Sequence, residues 1–345
     1  MNLKKSFITA IVLSTIGIVS WELYWRSQGE YPTLDDNKDL WAVQRSKVTK
    51  ATAKDVVLTG SSRVLFDIQL DEWKEITGNK PIQLASAGSS PLPIFHDIVE
   101  NTNFNGTVIV GVTPGLFFST TFPQAMPWKR AQNRVNHFHK RTYAQQLNHL
   151  FSIPLQLNLA FMSASEEEWA NDIDLKALLR KIKLGNRTGQ PMAPPFYSFH
   201  ITRMDRNTKM TQKTVKDTAF ANTVKKVWQF FGNGAPPPDK KSTMEFFVKD
   251  AEKFIKRGGN LVLLRPPSSG YYKEGEAKFL SREEFWDELV KNTGAKGYHY
   301  NDYQEFQNLN LPEWSHLSVD DAVYFTTELA KIMIKDGTVP NSKNN

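Results

Sequence analysis

Short apolar runs that end in glycine or serine alternate with amphipathic stretches along most of this chain. The first three runs cover residues 55–59, 81–85 and 107–112, and helix-like stretches separate them. Strands that alternate with helices favour a parallel sheet covered by helices on both faces. We therefore expect an α/β fold with three layers and a mostly parallel central sheet. The later predicted elements are a helix from Met244 to Arg257, a strand over 260–264, a helix over 282–291, a strand near Tyr298 and a last helix over 319–335.

Residues 119–245 interrupt this alternation. They hold aromatic helix-like stretches, an acidic run at 166–168 and three prolines at 236–238. We expect a mainly helical cap inserted between the two halves of the core. The predicted domain boundaries are 1–27 for an N-terminal anchor, 28–118 for the first half of the core, 119–245 for the cap, 246–337 for the second half and 338–345 for a flexible tail.

The net charge of the chain is +7, and its basic excess is concentrated in the predicted cap. There the basic residues outnumber the acidic ones about two to one, a pattern that suits anionic lipid headgroups, a polyanionic glycan or the loops of a partner. No nucleic-acid-binding motif accompanies these charges, so we expect no nucleic-acid partner.

The N-terminus predicts a membrane anchor. Residues 6–21 carry no charge and would span about 24 Å as a helix, with Tyr24 and Trp25 placed for the far interface. Lys4 and Lys5 precede the run, which places the N-terminus inside and residues 26–345 outside the cytoplasm, in the periplasm if the cell is Gram-negative. A cleaved signal peptide and a buried helix are the alternatives, although Val19-Ser20-Trp21 offers no convincing cleavage site.

The chain has no cysteine, which excludes disulfides, thiolate metal sites and a cysteine nucleophile. Three histidines of the predicted cap, His137, His139 and His149, suggest a metal at first glance. They lack acidic neighbours in the sequence, so we expect a solvated helix face. We therefore predict no metal and no other cofactor.

A candidate nucleophile follows the first strand. Ser62 lies in the sequence Gly60-Ser61-Ser62-Arg63, at the turn into a helix, where a hydroxyl would be exposed beside free backbone N–H groups. The alternative is that Ser61 or Ser62 only caps the helix. No G-x-S-x-G motif occurs, which disfavours an ordinary α/β-hydrolase.

A candidate base precedes the last helix. Ser318 and Asp321 have the spacing of a capping box, so His316 lies in the loop just before that helix, with Glu313 one turn earlier. A serine nucleophile needs a base, and the base needs a carboxylate to orient it and stabilise its charge. A loop histidine hydrogen-bonded to a nearby acid is the alternative.

The order of these motifs resembles that of the SGNH/GDSL hydrolase superfamily over residues 54–117 and 246–336, excluding the cap. The resemblance implies a flavodoxin-like core in which Ser62 is the nucleophile, Glu313 the orienting acid and His316 the general base. It also implies an oxyanion hole formed by the N–H groups of Ser62 and Gly88. Glu313 departs from the family, which has aspartate at this position.

The family's third-block asparagine is a second departure. It is absent from Gly111-Val112-Thr113-Pro114, where Thr113 is a weak substitute. With the anchor, the chain resembles a subgroup that includes membrane-anchored partners of membrane-bound O-acyltransferases. This implies a serine esterase or O-acyltransferase acting on acyl esters of an envelope polysaccharide or related glycan. The alternative is a catalytically silent SGNH-like scaffold that docks to a membrane acyltransferase or an envelope assembly.

Two arginines fall just past predicted strand ends. Arg63 follows the first strand, and Arg265 follows the strand over 260–264. Because ligands of parallel sheets bind beyond the carboxyl ends of the strands, both arginines are candidates for binding an acidic group of the substrate. Salt bridges that support the loops are the alternative.

Overall fold

Helices and strands alternate through the computed structural model, which describes residues 3–121, 124–162, 194–233 and 236–343. The strands are β1 (Val56–Thr59), β2 (Ile82–Gln83), β3 (Thr107–Gly111), β4 (His200–Thr202), β5 (Thr208–Met210), β6 (Asn260–Arg265) and β7 (Lys296–His299). The helices are α1 (Leu3–Ser27), α2 (Lys38–Val48), α3 (Ser62–Asp67), α4 (Leu70–Thr77), α5 (Leu92–Asn101), α6 (Pro114–Phe117), α7 (Met126–Lys140), α8 (Tyr143–Asn158), α9 (Gln212–Lys216), α10 (Thr218–Gly232), α11 (Lys240–Lys256), α12 (Gly270–Phe279), α13 (Glu288–Thr293) and α14 (Val319–Lys335). A π-helical turn covers Arg282–Asp287, and 3₁₀ turns cover Ala160–Met162, Tyr300–Asp302 and Gln304–Phe306.

The central sheet has the strand order β2-β1-β3-β6-β7, and every neighbouring pair is parallel. The predicted α/β fold with a mostly parallel sheet is therefore confirmed. A separate antiparallel pair, β4–β5, lies within 119–245, where the sequence predicted mainly helices.

Successive side chains along a strand point to opposite faces of the sheet, and each face is covered by one apolar cluster. Val57, Val108 and Leu261 belong to the first cluster, together with α5 and α11. Leu58 and Ile109 belong to the second, together with α3, α4 and α14. The sheet is thus the middle of three layers.

The described part of 119–245 packs into both clusters. Trp128 and Val135 of α7 join the first cluster. Phe196, Phe199 and Val224 join the second. The inserted segment therefore shares its core with the sheet. Its residues in the second cluster reach the loop that carries His316, whose ring Phe199 contacts.

Helix α3 packs unusually close to the sheet. A Cβ on Gly111 would come within 2.0 Å of the Val64 side chain, and a Cβ on Gly60 within 2.7 Å of the same group. Glycine at the ends of β1 and β3 therefore lets the first turn of α3 lie against the strand ends.

The helix predicted after β1 is divided in two. Ile68 is extended, with φ −103° and ψ 109°, so α3 ends at Asp67 and α4 begins at Leu70. A contact with another helix stabilises the break, because the Gln69 N–H donates to the Thr326 hydroxyl of α14 at 2.8 Å. Helix α4 ends at its C-cap, Gly78, which is left-handed with φ +83°.

Helix α1 extends the predicted apolar segment at both ends. It has 25 residues, a mean hydropathy of 1.7 over its most apolar window and no buried residue, and it is long and apolar enough to span a membrane. At 1.5 Å per residue it measures about 38 Å. Its last turns contact the rest of the chain through Glu22 and Arg26.

Candidate active site

Ser62 is the first residue of α3, at the carboxyl end of β1, and it is half-buried. Ser61, the residue before it, caps the helix by accepting a hydrogen bond from the Arg63 N–H at 3.4 Å. The cap and the candidate nucleophile are therefore neighbouring serines with separate roles, and Ser62 is the one left at the helix surface. We find no hydrogen bond from the Ser62 hydroxyl to another described residue.

The loops after β1, β2 and β3 are tied together. The Ser61 and Thr113 hydroxyls are 2.6 Å apart, which joins the ends of β1 and β3. The Ser86 N–H donates to the Gly60 carbonyl at 2.9 Å, which joins the loops after β1 and β2. Since these strands are neighbours in the sheet, Ser62, Thr113 and the loop carrying Gly88 share one edge.

His316 and Glu313 form a buried pair. The Nδ1 atom of His316 is 2.9 Å from Oε1 of Glu313, and the His316 backbone N–H donates to the same oxygen at 2.6 Å. The second carboxylate oxygen accepts from the indole N–H of Trp228, in α10. The two residues are 1% and 0% exposed, so the carboxylate is desolvated and satisfied by three N–H groups.

The imidazole of His316 lies among aromatic rings. It stacks on Phe66 with 4.3 Å between the ring centroids, and the rings of Phe199 and Trp228 are at 5.8 and 6.0 Å. Phe66 is one helical turn after Ser62, on the same side of α3. The predicted base therefore stacks on a residue one helical turn from the predicted nucleophile.

The second nitrogen of His316 is uncommitted. Nε2 is buried and has no hydrogen-bond partner among the described residues, so it is not bonded to the Ser62 hydroxyl here. Candidate catalytic hydrogen bonds are often long before substrate binds, and a base needs one nitrogen able to take a proton. With Nδ1 fixed by Glu313, Nε2 is the atom that can act.

The predicted oxyanion donors lie at the same edge. Gly88 is left-handed with φ +59°, and the Arg130 guanidinium donates to its carbonyl at 3.3 Å. Within the described ranges, the N–H groups of Ser62 and Gly88 donate to no protein acceptor. The Thr113 hydroxyl contacts Ser61. If Ser61 donates in that contact, the Thr113 proton is available to a third group.

Arg63 and Arg265 both form ion pairs with Glu276. Arg63 is 2.9 Å from one carboxylate oxygen of Glu276, and Arg265 pairs with the other. Burial alone would raise the pKa of Glu276, but the guanidinium groups of Arg265 and Arg63 together lower it below its ordinary value. Both arginines are buried. The arrangement matches the alternative in which they support the loops, and we assign them no substrate group.

A groove of about 380 Å³ opens beside Phe66, the residue on which His316 stacks. Phe66 and Leu65 form part of one wall, and the polar side of α7 forms the other. Ser62 and His316 are not among the lining residues, but the ring on which His316 stacks is. The polar groups along the groove are those of Asp35, Asp36, Lys38, Ser86, Arg130, Asn133, Arg134, Asn136, His137, Lys140 and His200.

Comparison with known proteins gives this chain no family. No family model matches it, and no curated protein is significantly similar to it. Its function must therefore be argued from the geometry of the site.

The histidines of the predicted cap do not form the expected solvated face. His137 and His149 are buried. His137 lies 2.6 Å from Asp39, and His139 lies 2.6 Å from Asp97. Both acids lie outside the cap in sequence, which is why local spacing did not reveal them.

One other cluster holds metal-ligand atoms. His96, Glu100 and Asp250 bring three such atoms within 4.8 Å of one another among the described residues. Lys253 forms an ion pair with the Glu100 carboxylate, and His96 contacts Asp250 at 2.9 Å. These contacts satisfy the cluster without an ion, and we assign it no metal.

The sequence did not single out Trp228, Phe66 or Asp67. Asp67 is fully buried, and one of its oxygens accepts the Leu317 N–H at 3.0 Å while the other has no partner among the described residues. Burial raises the pKa of Asp67 well above its ordinary value, against the opposing effects of the Leu317 N–H and of Arg63. No sequence signal marks any of these three residues, because their contacts come from parts of the chain that are distant in sequence.

Proposed function

We propose that this protein is a membrane-anchored serine esterase or O-acyltransferase of the SGNH type, acting outside the cytoplasmic membrane on acyl esters of an envelope glycan. The observation that carries the proposal is the buried Glu313–His316 pair, whose imidazole stacks on Phe66, one helical turn after Ser62. The strand order supports it, because the five core strands follow the flavodoxin-like order 2-1-3-4-5 when numbered within the sheet.

In this mechanism Ser62 Oγ attacks the carbonyl carbon of an acyl ester or thioester, and His316 Nε2 takes the hydroxyl proton. The N–H groups of Ser62 and Gly88 donate to the oxyanion. His316 then gives the proton to the leaving oxygen or sulfur. A sugar hydroxyl or water attacks the acyl-enzyme with His316 again taking the proton, and Ser62 recovers it when the new ester or the free acid leaves.

Glu313 has two roles in these steps. It holds Nδ1–H, which fixes the tautomer that leaves Nε2 free, and it stabilises the imidazolium formed when the proton moves. The aromatic rings around His316 exclude water from the pair and strengthen that electrostatic effect. The groove beside Phe66 offers amide and cationic side chains to a glycan, and we expect the acceptor to bind there.

The second candidate is a silent SGNH-like scaffold that docks to a membrane acyltransferase. Two observations favour it: Ser62 and His316 are not hydrogen-bonded, and the Thr113 hydroxyl contacts Ser61. Loss of one oxyanion donor costs about 3–4 kcal/mol where it has been measured. Both candidates include the same partner, so copurification with it would not separate them.

Fluorophosphonate labelling of the full chain in detergent, with the modified peptide located by mass spectrometry, tests the proposal. We expect the label on Ser62, and its loss in Ser62→Ala and in His316→Ala. The matched control is His139→Ala, which removes a histidine paired with an acid outside the site and should keep the label. A folded chain that stays unlabelled, alone and with its membrane partner, would support the scaffold instead.

A further inference from the structure

Helix α8 exposes a continuous apolar face. The helix has 16 residues and contains no aspartate, glutamate, lysine or arginine. Its outward side chains follow helical spacing, and the most exposed are Tyr143 at 86%, Phe151 at 70% and Leu150 at 59%. Leu147, Leu155 and Leu157 are also exposed. An apolar stripe of this length on a helix in water carries a free-energy cost, so it indicates a surface that is covered by something apolar.

The opposite side of α8 is polar and faces the protein. His149 is its one buried residue. The Gln156 side chain accepts a hydrogen bond from the Asp35 N–H at 2.9 Å. Surface helices of soluble proteins turn their apolar side inward and their polar side to water. Helix α8 does the reverse.

The far end of α8 is bonded to the end of α1. The Glu22 carboxylate accepts hydrogen bonds from the N–H groups of Ala160 and Phe161 at 2.9 and 3.2 Å, in the turn that follows α8. Arg26 donates to the carbonyl of Asn158, the last residue of α8, at 3.0 Å. The C-terminal end of the apolar face is therefore held at the level where the apolar part of α1 ends.

The residues around this junction suit a membrane interface. Trp21, Tyr24 and Trp25 form a cluster of rings on α1, with centroids 5.4–5.7 Å apart. Such rings concentrate at the headgroup level. At the opposite end of α8, Lys140 and Arg141 supply the positive charge that anionic headgroups attract.

We propose that α8 lies in the outer interface of the membrane that α1 crosses, with its apolar face against the acyl chains. This inference rests on the part of the proposed function that makes α1 a membrane anchor, and it is independent of Ser62 chemistry. It makes the domain a body attached to the bilayer at two places, so that the groove keeps a fixed height above the lipid. A lipid surface fits better than a protein partner because the charged and aromatic flanks are those of an interfacial helix.

Single-cysteine variants of the full chain test this, since the protein has no cysteine of its own. Leu147→Cys and Phe151→Cys place a spin label on the apolar face of α8. Lys331→Cys, exposed on α14, is the aqueous reference. The variants are reconstituted into vesicles of phosphatidylcholine with and without phosphatidylglycerol. Collisions with oxygen, which enters lipid, are compared with those of a water-soluble nickel chelate.

We expect labels at 147 and 151 to meet oxygen several-fold more than the chelate, and the label at 331 to show the opposite preference. Chelate-accessible labels at 147 and 151, in a chain that resists alkaline extraction, would overturn the inference and assign the face to a protein partner. Extraction of the whole chain by alkali would overturn the anchor and this inference together. Fluorophosphonate labelling of the same vesicles reports on Ser62 separately, so catalysis and membrane contact can fail independently.

Discussion

At the scale of single residues, Glu313 stands where the hydrolase superfamily that the sequence resembles has aspartate. The longer side chain does not displace the carboxylate from the imidazole, because Oε1 reaches both the ring Nδ1 and the backbone N–H of His316. Oε2 is left facing the protein, where the Trp228 indole donates to it. The extra methylene thus makes room for a partner from α10.

This arrangement predicts that Trp228→Phe impairs the activation of Ser62. The change leaves a buried carboxylate oxygen without its donor, which costs about 1–3 kcal/mol. We expect fluorophosphonate labelling to slow about tenfold, which corresponds to about 1.4 kcal/mol. Trp73→Phe is the matched control, because it removes a buried indole whose N–H has no partner among the described residues. Equal labelling rates in the two variants would contradict the role given to Trp228.

The residues of the candidate site differ in how far the sequence revealed them. The positions of Ser62 and His316 were predictable because each stands next to a strand end or a helix start that local spacing marks. Phe66, Asp67 and Trp228 were not, because their roles come from contacts across the fold. The Arg63 and Arg265 roles were left open for the same reason: only the packing of α12 shows that Glu276 lies between them.

At the scale of elements, the sequence predicted helices with an apolar periodicity and missed those without one. The last helix, α14, runs over the predicted range because its buried side chains recur every three to four residues. Helix α2 has no clear apolar periodicity in its sequence. Its buried face includes Gln44 and Arg45, and Arg45 is buried because it pairs with Asp97. A buried ion pair hides amphipathicity from any hydropathy pattern.

The β4–β5 hairpin predicts a large stability effect at one residue. Arg206, at its turn, binds Asp36 through two nitrogens at 2.6 and 2.8 Å and donates to the carbonyls of Gln83 and Ala85. It is fully buried and joins the hairpin to β2 and to the segment before α2.

Arg206→Ala would leave Asp36 buried without this partner, and we expect the free energy of unfolding to fall by about 3–5 kcal/mol. Urea unfolding of the full chain in detergent measures this. Arg203→Ala, three residues earlier, breaks the exposed ion pair with Asp71 and should cost about 0.5 kcal/mol. Similar urea midpoints for both variants would show that the contacts of Arg206 do not stabilise the hairpin.

At the scale of the whole molecule, the sequence predicted the core and the apolar N-terminal helix but not their connection. Each was recognisable from its own residues, as a strand–helix alternation and as an uncharged run. The connection consists of Glu22 and Arg26 reaching backbone groups at the end of α8, more than a hundred positions away. In the sequence, Glu22 is a single charge near the end of an apolar run. Its role is visible only once its hydrogen-bond partners in the turn after α8 are known.

The connection predicts that Glu22→Ala loosens the domain from the membrane without damaging the site. The change removes the acceptor of the Ala160 and Phe161 N–H groups and also the ion pair to Arg26. In vesicles, trypsin should cut after Arg26 several-fold faster than in the unaltered chain, because local opening exposes that bond. Ser62 should still take up the fluorophosphonate, since Glu22 touches neither α3 nor the histidine loop. Glu305→Ala, an exposed acid in the 3₁₀ turn Gln304–Phe306, is the control and should leave the cleavage rate unchanged. If Glu22→Ala also left it unchanged, the domain would not be held to α1 by these bonds, and its height above the bilayer would depend on α8 alone.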